Sequence, residues 1–274
     1  MRNVRSTDIV RSAARLGQAL VPRSPGAAWI LAYHLVGQGT ELVIDSPRQE
    51  FAEHLDMLWE NCDVIGLDDL VDRLKPGAAA ATAKTRPSVV LTFDDAFLNF
   101  YEVALPMLAE RRIPAVLYVP AAFLNGEDRH PLDDARYTGL KPMTWAQVAE
   151  AAGSGVTIGS HSYHHRDLRQ LSEPDLLTEF ESSADEIQRR TGVRPTSVCY
   201  PLALANAAVS RAAGRFYSSG VVAGGVAVPA RIPDLLRLPR LPVRAGTSVE
   251  RLAAILERRV CLEEWAASKV RARR

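Results

Sequence analysis

The chain has 274 residues, 47% hydrophobic and 24% charged, enough for one large domain or two small ones with a buried core. A formal net charge of +1 excludes the global basic field of a nucleic-acid binder. The three cysteines, Cys62, Cys199 and Cys261, are odd in number and lack metal-type spacing, so they read as small buried hydrophobes of a reducing compartment.

Residues 1–28 read as an N-terminal amphipathic segment ending in a linker between Pro22 and Gly26, and residues 29–274 as one domain. Arg2, Arg5, Arg11 and Arg15 at one end, and Lys269, Arg271, Arg273 and Arg274 at the other, read as solvated termini, or as a weak attraction to an anionic membrane surface. Asp8, Arg11 and Arg15 interrupt any secretory apolar run, and no stretch approaches the ~20 apolar residues of a spanning helix. The expectation is therefore a cytoplasmic protein, at most peripheral to the inner face of the membrane.

Strands are expected at 29–33, 89–93, 115–119, 156–159, 197–200, 219–222 and 241–243. Their continuous apolar character suits parallel strands covered by helices on both sides or on the outside of a barrel. Between them, Ser46-Pro47-Arg48-Gln49 predicts a capped helix whose apolar face is Phe51, Leu55, Leu58 and Cys62. Thr144-Trp145-Ala146-Gln147 is a second capping box, with Gly153 as a stop. Ser172 opens a longer helix with the face Leu176, Leu177, Phe180, Ala184 and Ile187, ended by Gly192. Ser248 opens a last one with Leu252, Ile255, Leu256 and Val260. The Ala-rich tract 76–84 and the polar stretch 125–141 read as an excursion and a long loop. The β-α alternation predicts an α/β fold, and pattern alone leaves a parallel barrel and a doubly wound sheet both open.

Two clusters have the residue types of a chemical site. Asp94-Asp95 follows the apolar run Leu91-Thr92-Phe93, at the strand end where α/β proteins place their sites. Alone, the pair reads more readily as a helix N-cap and its neighbour. Gly159-Ser160-His161-Ser162-Tyr163-His164-His165 holds three of the six histidines. His161 and His165 stand four apart, so a helical turn would project both to one side, with His164 pointing elsewhere. Two histidines alone could equally be core or surface residues. Joined by a carboxylate from another strand end, they form an open three-ligand site with room for water and substrate.

At these residues the chain resembles the polysaccharide deacetylase (NodB-homology, carbohydrate esterase family 4) family. Thr92-Phe93-Asp94-Asp95-Ala96 is similar to the family's TFDDG motif, and 159–168 to its GSHTxxHxxL motif. Cys199-Tyr200-Pro201-Leu202 lies where a third motif, RxPY or YPYG, belongs. Leu31-Ala32-Tyr33-His34-Leu35-Val36 resembles the YHxV segment of the circularly permuted poly-N-acetylglucosamine deacetylase branch, and Leu238-Pro239-Arg240-Leu241-Pro242-Val243 resembles its LPRIPV segment.

The resemblance implies a distorted (β/α) barrel of about seven parallel strands with the site at their C-terminal ends. It implies that Asp95, His161 and His165 bind a divalent metal, most often Zn2+, and that Asp94 is the general base. His34 would be the general acid, because no histidine follows His165. Arg240 would pair with Asp94, replacing an arginine whose usual position holds Cys199. A backbone N–H near Leu202 would hold the oxyanion, and Tyr200 and Trp145 would line a sugar pocket. Ala96 stands where the family has glycine, which would crowd the turn at positive φ. The implied reaction is removal of an N-acetyl group from an amino sugar of a glycan or glycan precursor, with release of acetate. Hydrolysis of another amide on the same fold, or glycan binding without catalysis, are the alternatives. His54, on a helix face, and His130, in the long loop, are expected to be structural.

Overall fold

The computed structural model describes residues 28–75, 86–127, 140–229, 234–258 and 261–272. Seven parallel strands form the centre: β1 (Ala28–Tyr33), β2 (Ser88–Phe93), β3 (Ala115–Val119), β4 (Val156–Ser160), β5 (Ser197–Cys199), β6 (Ser219–Ala223) and β7 (Leu238–Pro242). Each pairs with the next in the chain, and β7 pairs with β1. β1 also pairs with β2 in a six-residue register from Ala28↔Ser88 to Tyr33↔Phe93, so the sheet closes into a barrel. The short strand Asp63–Val64 lies outside the ring, against the start of β2.

Alternation along the strands sorts side chains into two layers. Trp29, Leu31, Tyr33, Leu91, Phe93 and Leu117 pack outward with Phe51 and Leu55 of helix α1 (Arg48–Asn61). Ile30, Val90, Val116, Val221 and Leu238 form the inner cluster, joined by Leu67, Leu70 and Val71 of the helix Leu67–Leu74. Val228 donates its N–H to Ala28 at the starting end of β1 and belongs to the same inner cluster. One end of the barrel is thus packed with aliphatic groups. Further along the same strands the interior turns polar, with Thr92, Arg240 and Cys199 all buried.

Helix α2 (Trp145–Gly153) has the expected capping box, with Thr144 Oγ1 accepting from the Gln147 N–H and the Gln147 side chain accepting from the Thr144 N–H. Helix α3 (Glu173–Thr191) starts at the Ser172 cap and stops at Gly192, whose φ of 76° favours glycine. Helix α4 (Val249–Leu256) is capped by Ser248 and is shorter than its apolar pattern suggests, with Val260 outside the described residues. The cap expected at Ser46 is absent. Ser46 instead pairs with Val36 in a small two-stranded ladder, and α1 begins after Pro47 without a side-chain cap. The final strand starts three residues earlier than its apolar run, because Arg240 is part of β7 and points into the barrel. The N-terminal segment 1–27, the Ala-rich tract 76–84 and most of the 125–141 loop lie outside the described residues.

Candidate active site

The strand ends bring the polar residues together. Asp94 and Asp95 follow β2 directly, and His34 follows β1 one position past the Tyr33↔Phe93 pair, so register alone makes His34 and Asp94 neighbours. The Asp94 N–H donates to the Tyr33 carbonyl at 3.0 Å. His161 and His165 follow β4, Cys199 ends β5, and Arg240 lies in β7.

Asp95, His161 and His165 are all buried, and one ligand atom from each lies within 4.8 Å of the others. His161 Nε2 and His165 Nε2 are each 3.4 Å from Asp95 Oδ1. That is the edge of a tetrahedron around an ion held at ~2.0–2.1 Å, and it exceeds the ~2.8 Å of a direct charge-assisted hydrogen bond. Nδ1 of His161 is 2.7 Å from the Cys199 carbonyl oxygen. A ring N–H donated there fixes the tautomer and leaves Nε2 as the lone-pair donor, the usual arrangement of a metal-binding histidine. The donor set therefore fits a divalent ion.

The pair of histidines does not sit on a helical turn. Residues 161–167 are irregular, with φ of 60° at Ser162 and 54° at His165. Of the seven described non-glycine residues at positive φ, six lie at three strand ends: Asp95 and Ala96, Ser162 and His165, Leu202 and Ala203. Strain of this kind collects where the surroundings hold a functional geometry. Ala96, at φ 49°, takes the turn conformation that favours glycine.

Asp94 is gripped from below by Arg240. Two parallel bonds of 2.7 Å run from the guanidinium to the two carboxylate oxygens. The same guanidinium donates to Thr92 Oγ1 at 3.0 Å and to Cys199 Sγ at 2.9 Å, and it lies 5.7 Å above the Tyr118 ring. Burial raises the Asp94 carboxyl, but the charge and hydrogen bonds of Arg240 outweigh it and hold the group at about 2. His34 Nε2 is 3.7 Å from Asp94 Oδ2, and its ring is 23% exposed. Burial pushes its pKa below the ordinary value, against the pull of Asp94. Asp94, His161 and Cys199 also bring ligand atoms within 4.8 Å. With a guanidinium bonded to both Asp94 oxygens and to Sγ, positive charge already occupies that position, so the Asp95 set is the better cation site. Cys199 and Tyr118 were not expected as partners of Arg240. The signal for them is strand alternation, which turns Val116 and Tyr118, and then Cys199, toward the interior.

The expected sugar-facing aromatics are placed elsewhere. Tyr200 is 0% exposed, packed with Phe180, Val209 and Tyr217 in the outer layer. It cannot stack on a ligand, because alternation after the inward Cys199 turns it to the helices. Trp145 is buried, its indole N–H donating to Asn125 Oδ1 at 2.8 Å under the Arg190 guanidinium. Leu202 is 48% exposed in the left-handed turn beyond β5. His164 turns away from the pair and meets Glu179 Oε1 at 2.5 Å. His54 is wholly buried between the Tyr33 hydroxyl and the Thr247 carbonyl, as a structural histidine would be. His130 lies outside the described residues.

A family model described as polysaccharide deacetylase matches residues 81–217, half of the chain. The chain is 26% identical over 237 residues to YxkH of Bacillus subtilis, which bears a polysaccharide deacetylase name, covering 85% of this chain and 77% of that one. The structure of the Streptococcus pyogenes deacetylase PplD in complex with acetate is similar in fold, with a TM-score of 0.71 at 23% identity over 85% of this chain and 100% of that chain. IcaB from Ammonifex degensii has a TM-score of 0.68 at 21% identity, covering 86% and 98%.

Proposed function

The chain belongs to the polysaccharide deacetylase family, and from that premise we propose that it is a metal-dependent carbohydrate N-deacetylase, removing the N-acetyl group of an amino sugar. Carbohydrate deacetylation is the activity of the family. The observation that supports the finer reading is the buried Asp95–His161–His165 triangle beside an arginine-clamped Asp94. A divalent ion, Zn2+ by the donor set, would supply Lewis acidity there, lowering the pKa of a water and polarising the amide oxygen.

The remaining work falls to this chain's own groups. Asp94 stays ionised beside Arg240 and accepts the proton of the attacking water. The N–H of Leu202 is the proposed donor to the developing oxyanion, on the exposed turn after β5. His34, its Nε2 3.7 Å from Asp94 Oδ2, has its own pKa lowered by burial, so it takes up the proton that Asp94 draws from the water and passes it to the amine, which leaves poorly without it. Sugar stacking by Tyr200 or Trp145 is not part of the reading, because neither ring is open to a ligand.

The test combines metal analysis with acetate release from a panel of N-acetylated sugars. About one divalent ion per chain, lost in Asp95→Ala, His161→Ala and His165→Ala but kept in His164→Ala, is expected. Full occupancy in His161→Ala would remove the ligand assignment, and acetate release that survives chelation would remove the metal-dependent mechanism. Asp94→Asn should keep the ion and lose about 10²–10⁴-fold in turnover. A near-normal rate in that variant would move the base elsewhere.

A further inference from the structure

Within the metal-site reading above, we propose that Glu179, with Ser183 one turn later on α3, is a positioning residue that sets the geometry of the His161–His165 pair and hence the affinity of the site for its ion. The segment between the two histidines belongs to no helix or strand. Its backbone donors are instead held one by one. His161 N–H donates to the Val119 carbonyl at 3.0 Å, and Ser162 N–H to Ser160 Oγ at 3.2 Å. Tyr163 and His164 N–H groups both donate to Glu179 Oε2 at 3.0 Å, and His165 N–H donates to Ser162 Oγ at 3.1 Å. Ser160 Oγ is in turn 2.8 Å from Ser183 Oγ. Two of the five central donors end on Glu179, and a third reaches α3 through Ser160 and Ser183.

The placement of Glu179 is unusual for its helix. It is 5% exposed and Ser183 is 0% exposed, on a face otherwise made of Leu176, Phe180, Ala184 and Ile187. A carboxylate is costly on such a face unless its oxygens are hydrogen-bonded. Here both are, with two backbone donors on one oxygen and the His164 ring on the other. Charge-assisted bonds are short and directional. They act on a segment with Ser162 and His165 at positive φ, which would relax if released. His164 thus turns from the His161–His165 pair because it is a partner of Glu179.

The experiment uses the metal-stripped 274-residue chain, titrated with Zn2+ against a chromophoric chelator and, separately, with Co2+ for its visible spectrum. Loss of such outer contacts typically costs about 10–100-fold in metal affinity. Glu179→Ala should show a loss of that size and a changed Co2+ spectrum. Glu179→Gln, whose amide oxygen can still accept both N–H groups, should recover most of the affinity. A purely structural role would lower the melting temperature of the stripped protein and leave Zn2+ affinity and the Co2+ bands alone, which overturns the proposal. Should Glu179→Ala not fold, Ser183→Ala decides. Weaker Zn2+ binding is expected, and wild-type affinity overturns the proposal. A wild-type protein that takes up neither ion overturns the metal-site reading itself, an outcome distinct from equal affinities in wild type and variants.

Discussion

At the end of β2 two adjacent aspartates have opposite surroundings. Asp95 faces two imidazoles at 3.4 Å, whereas Asp94 faces a guanidinium at 2.7 Å. The sign of the Asp94 shift follows from which influence is larger. Burial favours the neutral acid, but the clamp by Arg240 favours the carboxylate and wins. A depressed folded-state pKa contributes stability that is complete above the ordinary value of 3.8 and is lost as pH falls through about 2. Arg240→Met keeps the bulk and removes the charge, leaving burial unopposed. The Asp94 carboxyl should then rise, so the acid limb of kcat/KM moves to higher pH. Stripping one partner from a buried pair costs about 3–5 kcal/mol, and less at acid pH, where Asp94 can neutralise. An acid limb unmoved from wild type, measured across pH, would show that Asp94 is not the group that titrates. His34 is tested in parallel with matched amide and ester substrates. His34→Ala should keep the ion and slow the amide much more than the ester, whose leaving group needs less protonation. Equal losses on both would make His34 structural.

At the scale of elements, strain is concentrated in three turns after β2, β4 and β5. Ala96 is the clearest case, wholly buried at φ 49°. Ala96→Gly relieves about 1–2 kcal/mol of left-handed strain but adds about 0.5–1 kcal/mol of chain entropy and deletes a buried methyl of about 0.8 kcal/mol. Its urea midpoint should stay close to wild type. Ala96→Val puts a β-branched side chain at positive φ in a packed site and should lose more than about 2 kcal/mol. A valine variant as stable as wild type would mean that this turn relaxes freely. Such turns are not legible in the sequence, whereas the strands around them are. Continuous runs such as 115–119 are covered on both faces, so apolarity alone marks them. β7 hides behind Pro239, Pro242 and a buried Arg240, whose partner Asp94 is 146 positions away. The two metal-type histidines are legible from residue type, yet a spacing of four suggests a helix where two left-handed residues do the work. Tyr200 is misjudged because motif position says nothing about the side of the strand on which an aromatic falls. Glu179 and Ser183 interrupt an otherwise clean apolar face, and that interruption is the signal for their contact with the histidine loop.

At the scale of the whole molecule, the candidate ligands tie together strands that are not neighbours. Asp95 extends β2 and the two histidines extend β4, with β3 between them. The barrel closes through the long β1–β2 register, so these ends are held by one continuous ring of strands. An ion bound across them would be held only in the folded state, since the unfolded chain scatters those residues. Binding then adds stability as RT ln(1 + [L]/Kd), about 2.7 kcal/mol at a free ion concentration a hundred times Kd. For a domain of this size, each kcal/mol is worth roughly 2–4 °C in melting temperature. The wild-type protein should therefore melt about 5 °C or more higher with Zn2+ than after chelation, and the gain should grow with the logarithm of free Zn2+. Asp95→Ala should lose this dependence. His164→Ala, with its ring turned to Glu179, should keep it. Calorimetry across a Zn2+ series reads all three proteins under the same conditions. Identical melting temperatures for the wild type with and without the ion would mean that the triangle at the strand ends does not hold it.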